Sequence, residues 1–574
     1  MAEVVDIPSP RLWWPNGCGA QPLYELEAKA AGDTVCKRRG LRKLELFAEP
    51  DEIGLGFKFR VNGLDIFARG ANWIPCDALP ARQTREVLDD LLSSAPQVDM
   101  NMLRVWGGGQ YESEASYDLC DEKGLLVWQD FMFSCSAYPA TPEFLANVEE
   151  EARHQVERLR DRACLAPLWC GNNEDLGALN WYEVSRKNRD RYLVDYDRLN
   201  EGVLGRLADE CDPTRTFWPS SPCAGWGDYL DSWRGDMHYW RVWHEGHSFD
   251  AYYAVTPRFC SEFGYQSFPS LECIRSYAPP DQLNVTAPVV EHHQRHPGGN
   301  ARIVEMFARY FRLPEGVAKF VYLSQVQQGL AIKAAVEHWR HLRPVSIGTM
   351  YWQLNDLWPV CSWSSLEYSG KWKLLHHMAR RFYPPVIASA FQTQAGELEL
   401  WLTNNRNSAV PSHLTLRVLD YADVEQGRRE FTATAPAGSA LKLGVFPMAE
   451  LAPRPDQVFA VLDLESGGET YRTTHFFVPY KACELKPAQV RTGISGKGRQ
   501  LTLTLSTDAP VFFISLEVEG WRGEFDDNCI TLLPGAKRQL RFTAKWPTPT
   551  RKQFEQALAV GICGGATLAP ERLQ

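Results

Sequence analysis

The chain has 574 residues and a net charge of −10, from 71 Asp and Glu against 61 Lys and Arg. At roughly 150 residues per domain this length excludes a single small binding module and predicts about four domains. The acidic balance argues against a nucleic-acid footprint or an anionic membrane surface as partner, and it points to a neutral ligand. Hydrophobic residues make up 44% of the chain. No stretch approaches the ~18 continuous apolar residues of a membrane span. The 20 Trp, 21 Tyr and 27 Phe supply either ordinary core packing or flat faces for an amphipathic ligand such as a sugar.

Met1 is followed by Ala2, Glu3, Val4, Val5 and Asp6. With neither a basic start nor an apolar stretch there is no visible signal peptide, so a cytoplasmic location is expected if Met1 is the natural start. The 15 cysteines form no CxxC pair and stand mostly in strand-like runs, as at Cys170, Cys260 and Cys361; they read as buried free thiols. Leu23 to Ala28 alternates like a strand, and Lys43 to Phe47 resembles another. Two or three strands cannot bury a sandwich core alone.

From about residue 57 short apolar strands alternate with helical stretches, the mark of βα units and a parallel sheet. Eight strands are predicted: Ile66–Gly70, Met102–Trp106, Leu125–Gln129, Leu165–Cys170, Thr216–Ser220, Met237–Trp240, Arg258–Ser261 and Ile347–Gln353. After the third, Thr141, Pro142 and Glu143 supply a cap, a first-turn proline and an acid. Phe144, Leu145, Val148, Ala152, Val156 and Leu159 form the apolar stripe of that helix. A second long helix runs from about Val317 to Arg340. This pattern fits a (β/α)8 barrel, in which chemistry belongs at the C-terminal strand ends.

After Tyr383, Pro384 and Pro385, alternation returns in Leu398–Leu402, Leu414–Val418 and Leu501–Leu505. These read as two β-sandwiches divided near Tyr480 to Lys486. The expected fold class is thus multidomain, α/β plus all-β. The expected divisions are 1–56, an incomplete sandwich; 57–385, the barrel; and 386–480 and 481–574, one sandwich each.

Two acids stand where a barrel puts catalytic groups: Glu174 after the fourth strand and Glu262 at the seventh. A glycosidic bond needs an acid to protonate the leaving oxygen and a carboxylate to meet the oxocarbenium carbon. Among 71 acids, a chance pairing of solvated loop residues is the bland alternative. Asn173 can offer its amide to a sugar 2-hydroxyl. Trp106, Trp352, Trp240 and Asp130 project at the barrel mouth as further sugar contacts. Arg104 points a positive charge to the same region, where it could keep Glu262 ionised; a structural ion pair is a compatible reading.

Several of these runs are shared with a known family. LWCGNNE (168–174), RFCSEFG (258–264), LRVWGGGQYE (103–112), WQDFMFSCSAY (128–138) and YWQLNDLWPVCSW (351–363) resemble the β-mannosidases of glycoside hydrolase family 2. Phe59 to Asp77 is similar to the start of that family's barrel, and Leu12 to Gly17 to its immunoglobulin-like second domain. The resemblance implies a barrel flanked by immunoglobulin-like sandwiches. It implies a retaining exo-hydrolase that removes terminal β-D-mannose from manno-oligosaccharides or N-glycan remnants. Glu174 would be the acid/base, its pKa raised, and Glu262 the nucleophile, their carboxyls about 5–5.5 Å apart. Asn173, Trp106, Trp352, Asp130 and Trp240 would hold the terminal mannose.

No cofactor or metal is implied; His292, His293 and His296 lie in a polar loop without an acid in register and read as solvated or structural. The family usually carries a further N-terminal domain and a complete second one. This chain is therefore expected to aggregate or act weakly by itself. The alternatives are a β-galactosidase, a β-glucuronidase, an exo-β-glucosaminidase, or a non-catalytic carbohydrate-binding remnant. The sequence does not give an oligomeric state.

Overall fold

Short runs dense in Ala, Leu, Met, Val and Trp have no polar face to offer water, so they belong inside a parallel sheet covered on both sides. In the computed structural model, which describes residues 6–30, 32–223, 232–545, 547–563 and 566–572, eight such runs build one parallel sheet. They are β1 (Ala68–Trp73), β2 (Met102–Val105), β3 (Leu126–Asp130), β4 (Leu165–Cys170), β5 (Thr216–Trp218), β6 (Asp236–His238), β7 (Phe259–Glu262) and β8 (Gly348–Tyr351). Residues 1–5, on which the reading of the start rests, lie outside the described residues. The chain gathers into two compact units, one of residues 1–240, 254–263 and 342–357, the other of residues 241–253, 264–341 and 358–574.

The first unit holds all eight strands, in the order β5-β4-β3-β2-β1-β8-β7-β6. This is a (β/α)8 arrangement closed between β1 and β8, where Gly348 to Tyr351 pair with Ala68 to Ala71. Among the described residues no ladder joins β5 to β6. Side chains bridge that seam instead. The Trp218 indole donates to Asp236 Oδ1 at 2.8 Å, Ser221 Oγ donates to Oδ2 at 2.7 Å, and the Cys223 amide donates to Oδ1 at 3.2 Å.

The strand positions differ from expectation in ways the pairing explains. Leu64–Ile66 pairs antiparallel with Lys58–Val61 through an Asn62-Gly63 turn, with both turn residues at positive φ. The first barrel strand therefore begins only at Ala68 and runs on to Trp73. The fifth and sixth strands end at Trp218 and His238, short of the expected Ser220 and Trp240.

Aromatic packing fills the barrel floor. Phe57, Phe59, Trp128, Trp218 and Phe259 form one cluster with ring centroids 4.8–6.2 Å apart, joined by Trp13, Met102 and Met350 in the same core. Much of the aromatic excess is therefore packing. The helix Pro142–Leu159 begins as expected, with Thr141 Oγ1 accepting from the Phe144 amide. Its stripe buries Val148, Ala152, Val156 and Leu159 and leaves Phe144 and Leu145 half-buried. Near the start of the chain, the hairpin Tyr24–Ala30 and Asp33–Arg39 exposes Asp33 to Arg38 to solvent.

In the second unit, a three-stranded sheet holding Val386–Gln392 and Glu397–Asn404 and a four-stranded sheet holding Val410–Asp420 and Val458–Ser466 enclose one core, with Leu400, Leu414 and Leu462 inside it. A five-stranded and a three-stranded sheet share a second core around Leu503, Ile514 and Leu540. These are β-sandwiches, alternating inward-apolar and outward-polar residues. Val317–His341 forms the long helix. Every cysteine is a free thiol, ten of them buried and Cys36 exposed. Among the described residues no helix is long and apolar enough to cross a membrane.

Candidate active site

The site grows from the C-terminal ends of β2, β3, β4, β6 and β7. Three loops are laced together there by main-chain bonds: Asn173 donates to the Phe133 carbonyl at 2.9 Å, Cys135 to the Asn173 carbonyl at 2.9 Å, and Glu174 to the Ser221 carbonyl at 3.0 Å. Glu174 sits at φ +63° and Cys135 at φ +51°. A left-handed backbone costs a non-glycine residue about 1–3 kcal/mol and persists where surroundings enforce it. Here it turns the Glu174 side chain back over the strand ends.

Glu262 is the last residue of β7, and Arg104 on β2 reaches it. The Arg104 guanidinium is completely buried and spends all five N–H donors. Nη1 donates to Glu262 Oε1 at 2.6 Å and to Asn72 Oδ1 at 2.9 Å. Nη2 donates to Asp130 Oδ2 and Asn173 Oδ1, both at 2.7 Å, and Nε to Asp130 Oδ1 at 3.3 Å. Asp130, equally buried, also accepts from the Trp128 indole at 2.9 Å and the Gly107 amide at 3.0 Å. The placement of Arg104 and Asp130 against the sugar is thereby corrected: neither has exposed surface, and both are consumed in holding Glu262 and Asn173. The structural ion pair and the charge beside Glu262 are one feature.

His238, at the end of β6, joins the two carboxyls. Its Nδ1 lies 2.6 Å from Glu174 Oε1 and 3.4 Å from Glu262 Oε2. One donor atom of each of Glu174, His238 and Glu262 lies within 4.8 Å of the others. The other Glu174 oxygen meets the Cys135 thiol at 3.4 Å. Burial works to raise the Glu174 carboxyl, but the hydrogen bond and charge of His238, with Cys135 and Arg104 behind, hold it below the usual range. The sequence expectation of a raised Glu174 is thus reversed in the free protein, because a base lies against it. Burial raises Glu262 above its usual value against the pull of His238 and Arg104. For His238 burial works downward, yet Glu262 and Glu174 together raise it.

Trp106 and Trp352 meet edge to face, centroids 4.9 Å apart, and both stay partly exposed at the mouth. The Trp106 indole lies over Gly108, where any Cβ would fall 2.1 Å from the ring. Asn173 is buried and donates from Nδ2 to Ser134 Oγ at 3.3 Å. Trp240 is half-buried, two residues past the end of β6. The histidines 292, 293 and 296 do not converge: His293 stacks on Tyr277 at 3.7 Å and on Trp358, while His296 meets Trp243 and Trp363.

Sequence reasoning missed His238, Asn72, Cys135 and Ser221. Only His238 left a signal, since strand alternation puts positions 238 and 240 on one face; the strand ends at 238, so the histidine takes the inward place given to Trp240.

Two family models match the chain, a mannosidase Ig/CBM-like domain over residues 396–482 and an Ig-fold domain over residues 485–561. β-Mannosidase of Capra hircus is 33% identical over 96% of this chain and 66% of its own length. β-Mannosidase B of Thermothelomyces thermophilus is 33% identical over 92% of this chain and 67% of its own length. The crystal structure of the β-D-mannosidase of Dictyoglomus thermophilum superposes with a TM-score of 0.89, at 33% identity over 98% of this chain and 69% of that one. The chain thus spans about two thirds of the length of these relatives. With sequence and fold in agreement, the chain belongs to the β-mannosidase family of glycoside hydrolase family 2.

Proposed function

We propose that this chain carries the catalytic part of a retaining exo-β-D-mannosidase, acting on terminal non-reducing β-D-mannose in manno-oligosaccharides or N-glycan remnants. The observation that carries the reading is the pairing of Glu174 and Glu262 at the ends of β4 and β7, with an oxygen of each within 4.8 Å of the other. That spacing suits the ~5–5.5 Å gap of retaining enzymes rather than the wider inverting one.

Glu262, held by Arg104, attacks the anomeric carbon as Glu174 protonates the departing oxygen; the C–O bond breaks with its electrons going to that oxygen. Glu174 then takes a proton from water, which displaces Glu262 and releases mannose. Trp106 and Trp352 present ring faces to the mannose, with Asn173 and Trp240 beside it. Arg104 and Asp130 position the nucleophile from beneath. The sugar-binding barrel is taken as residues 57–385, between a partial sandwich at 1–56 and sandwiches at 386–480 and 481–574.

A panel of aryl β-glycosides with a 2-fluoro-mannoside inactivator tests this. Cleavage of the mannoside, a covalent adduct on Glu262, and a fall of about 10²–10⁴-fold in kcat/KM for Glu174→Gln on a poor leaving group are expected. Preferred cleavage of a galactoside, glucuronide or glucosaminide overturns the substrate, and absence of any adduct overturns the mechanism.

A further inference from the structure

The hydrogen bonds around His238 determine where its ring protons lie. Asp236 accepts four donors: the Trp218 indole and the Cys223 amide on Oδ1, and the Ser221 and Ser261 hydroxyls on Oδ2 at 2.7 and 2.6 Å. A hydroxyl has one proton. The shorter contact to a carboxylate is the stronger bond, so Ser221 spends its proton on Asp236. Its oxygen is left to accept; Ser261 Oγ, 3.4 Å away, spends its own proton on Asp236 at 2.6 Å, so the donor for that oxygen is His238 Nε2 at 3.2 Å. His238 therefore carries a proton on Nε2, and a neutral ring must then be bare at Nδ1. Yet Nδ1 faces Glu174 Oε1 at 2.6 Å, a contact that needs a proton between the two atoms.

We propose, on the reading of Glu174 as the acid/base, that Asp236, Ser221 and His238 form a relay that keeps the catalytic proton on the Glu174–His238 bridge. The bridge holds one proton in either form, as carboxylic acid against a bare Nδ1 or as carboxylate against imidazolium. Losing it would leave a lone pair facing a carboxylate, because Ser221 prevents the Nε2 proton from moving to the other nitrogen. The bridge thus resists deprotonation although the Glu174 carboxyl by itself is held low. When the glycosidic bond breaks, the bridge proton leaves on the departing oxygen. The proton taken from water in the second half-reaction restores it, so the cycle closes without net change.

The charged and titratable groups around the bridge are consistent with one retained proton. Glu262 lies 3.4 Å from Nδ1; Arg104 and Asp130 lie behind Glu262; the Cys135 thiol touches Glu174; Asp175 follows it in the chain; and Asp236 stands across Ser221. The direction for His238, above its ordinary value despite burial, agrees.

The test is Ser221→Ala, with Ser221→Thr as the variant that restores the hydroxyl. Without the hydroxyl the ring can release the bridge proton and move the remaining one to Nδ1, a favourable arrangement against ionised Glu174. The alkaline limb of kcat/KM on mannobiose then moves to lower pH by about one unit, and Ser221→Thr returns it. A 2,4-dinitrophenyl mannoside, whose leaving group needs no proton, should lose much less rate.

An alkaline limb unmoved by Ser221→Ala overturns the relay. ¹⁵N-histidine NMR of the full chain gives a reading independent of turnover: a protonated Nε2 on His238 in the native protein is expected, and a bare one overturns the proposal. If the native chain cleaves no β-mannoside, the functional reading fails while the spectrum still decides the tautomer.

Discussion

The charge on Arg104 pulls Glu262 toward its anion against the burial that raises it. Its planar fork satisfies four side chains at once, Glu262, Asp130, Asn72 and Asn173, a geometry that lysine cannot copy. With the cation weakened, burial has less opposition and Glu262 rises further. On the proposed reading of Glu262 as the nucleophile, which must be ionised to attack, the acid limb of kcat/KM in Arg104→Lys should move to higher pH, by about one unit or more. An unmoved acid limb would show that Glu262 does not depend on the guanidinium. Removing Asp130 instead strands a buried guanidinium with one anion. Asp130→Ala is expected to cost about 3–5 kcal/mol of stability, read as a lowered denaturation midpoint. At this scale the sequence told half the story. Glu174, Glu262 and Arg104 stand in runs specific enough to read. What Arg104 touches was not legible, because the direction of a side chain inside a barrel depends on neighbours from strands 26 to 158 residues away. His238 was overlooked because the strand was taken two residues too long.

A parallel barrel depends on every strand finding hydrogen-bonded neighbours, and here, among the described residues, no ladder joins β5 to β6, whose ends meet through side chains at Asp236 and His238. Backbone amides there should open more readily than those of β2, β3 and β4, which lie between two ladders. Hydrogen exchange is expected to be fastest in β5 and β6 among the eight strands. Trp218→Phe, which keeps a ring but removes a donor to Asp236, should speed it further and cost about 1–3 kcal/mol. Uniform protection across the barrel would contradict this. Elements with strong local signals were readable: Thr141 caps the helix it was expected to cap, and the alternating Leu398–Leu402 run lies inside a sandwich strand. The seam was not, since a three-residue strand such as Thr216–Trp218 carries too little periodicity to show which neighbour it pairs with.

At the scale of the molecule, four histidines of the second unit are held toward the neutral form. Burial pushes His338 down to about 3, aided by His341, and His341 itself down to about 4. It likewise pushes His475 to about 3, with Lys333 adding to the effect, and takes His377 well below its ordinary value. Unfolded, these rings titrate near 6.5. Between the folded and unfolded values the unfolded chain binds more protons, so stability rises with pH through that window and falls as pH drops from about 6.5 toward 4. The melting temperature should therefore fall steadily from pH 7 to pH 5. Substituting His338 and His341 by an apolar residue of similar size should flatten the slope, and a slope equal to the native one would refute the assignment.

The free thiols have a practical consequence. Burial pushes Cys76 and Cys529 up to about 12 and takes Cys170 and Cys260 well above their ordinary value. Only the thiolate reacts with an alkylating reagent, so these sulfurs are silent until the backbone around them opens. Cys76, Cys120, Cys164, Cys170, Cys211 and Cys260 belong to the first unit, Cys273, Cys361, Cys483 and Cys529 to the second. Cys36, already exposed, reports reagent access at time zero. The chain thus carries its own clock for local opening: a pulse of iodoacetamide followed by peptide mapping times the opening of each unit separately, with no residue changed.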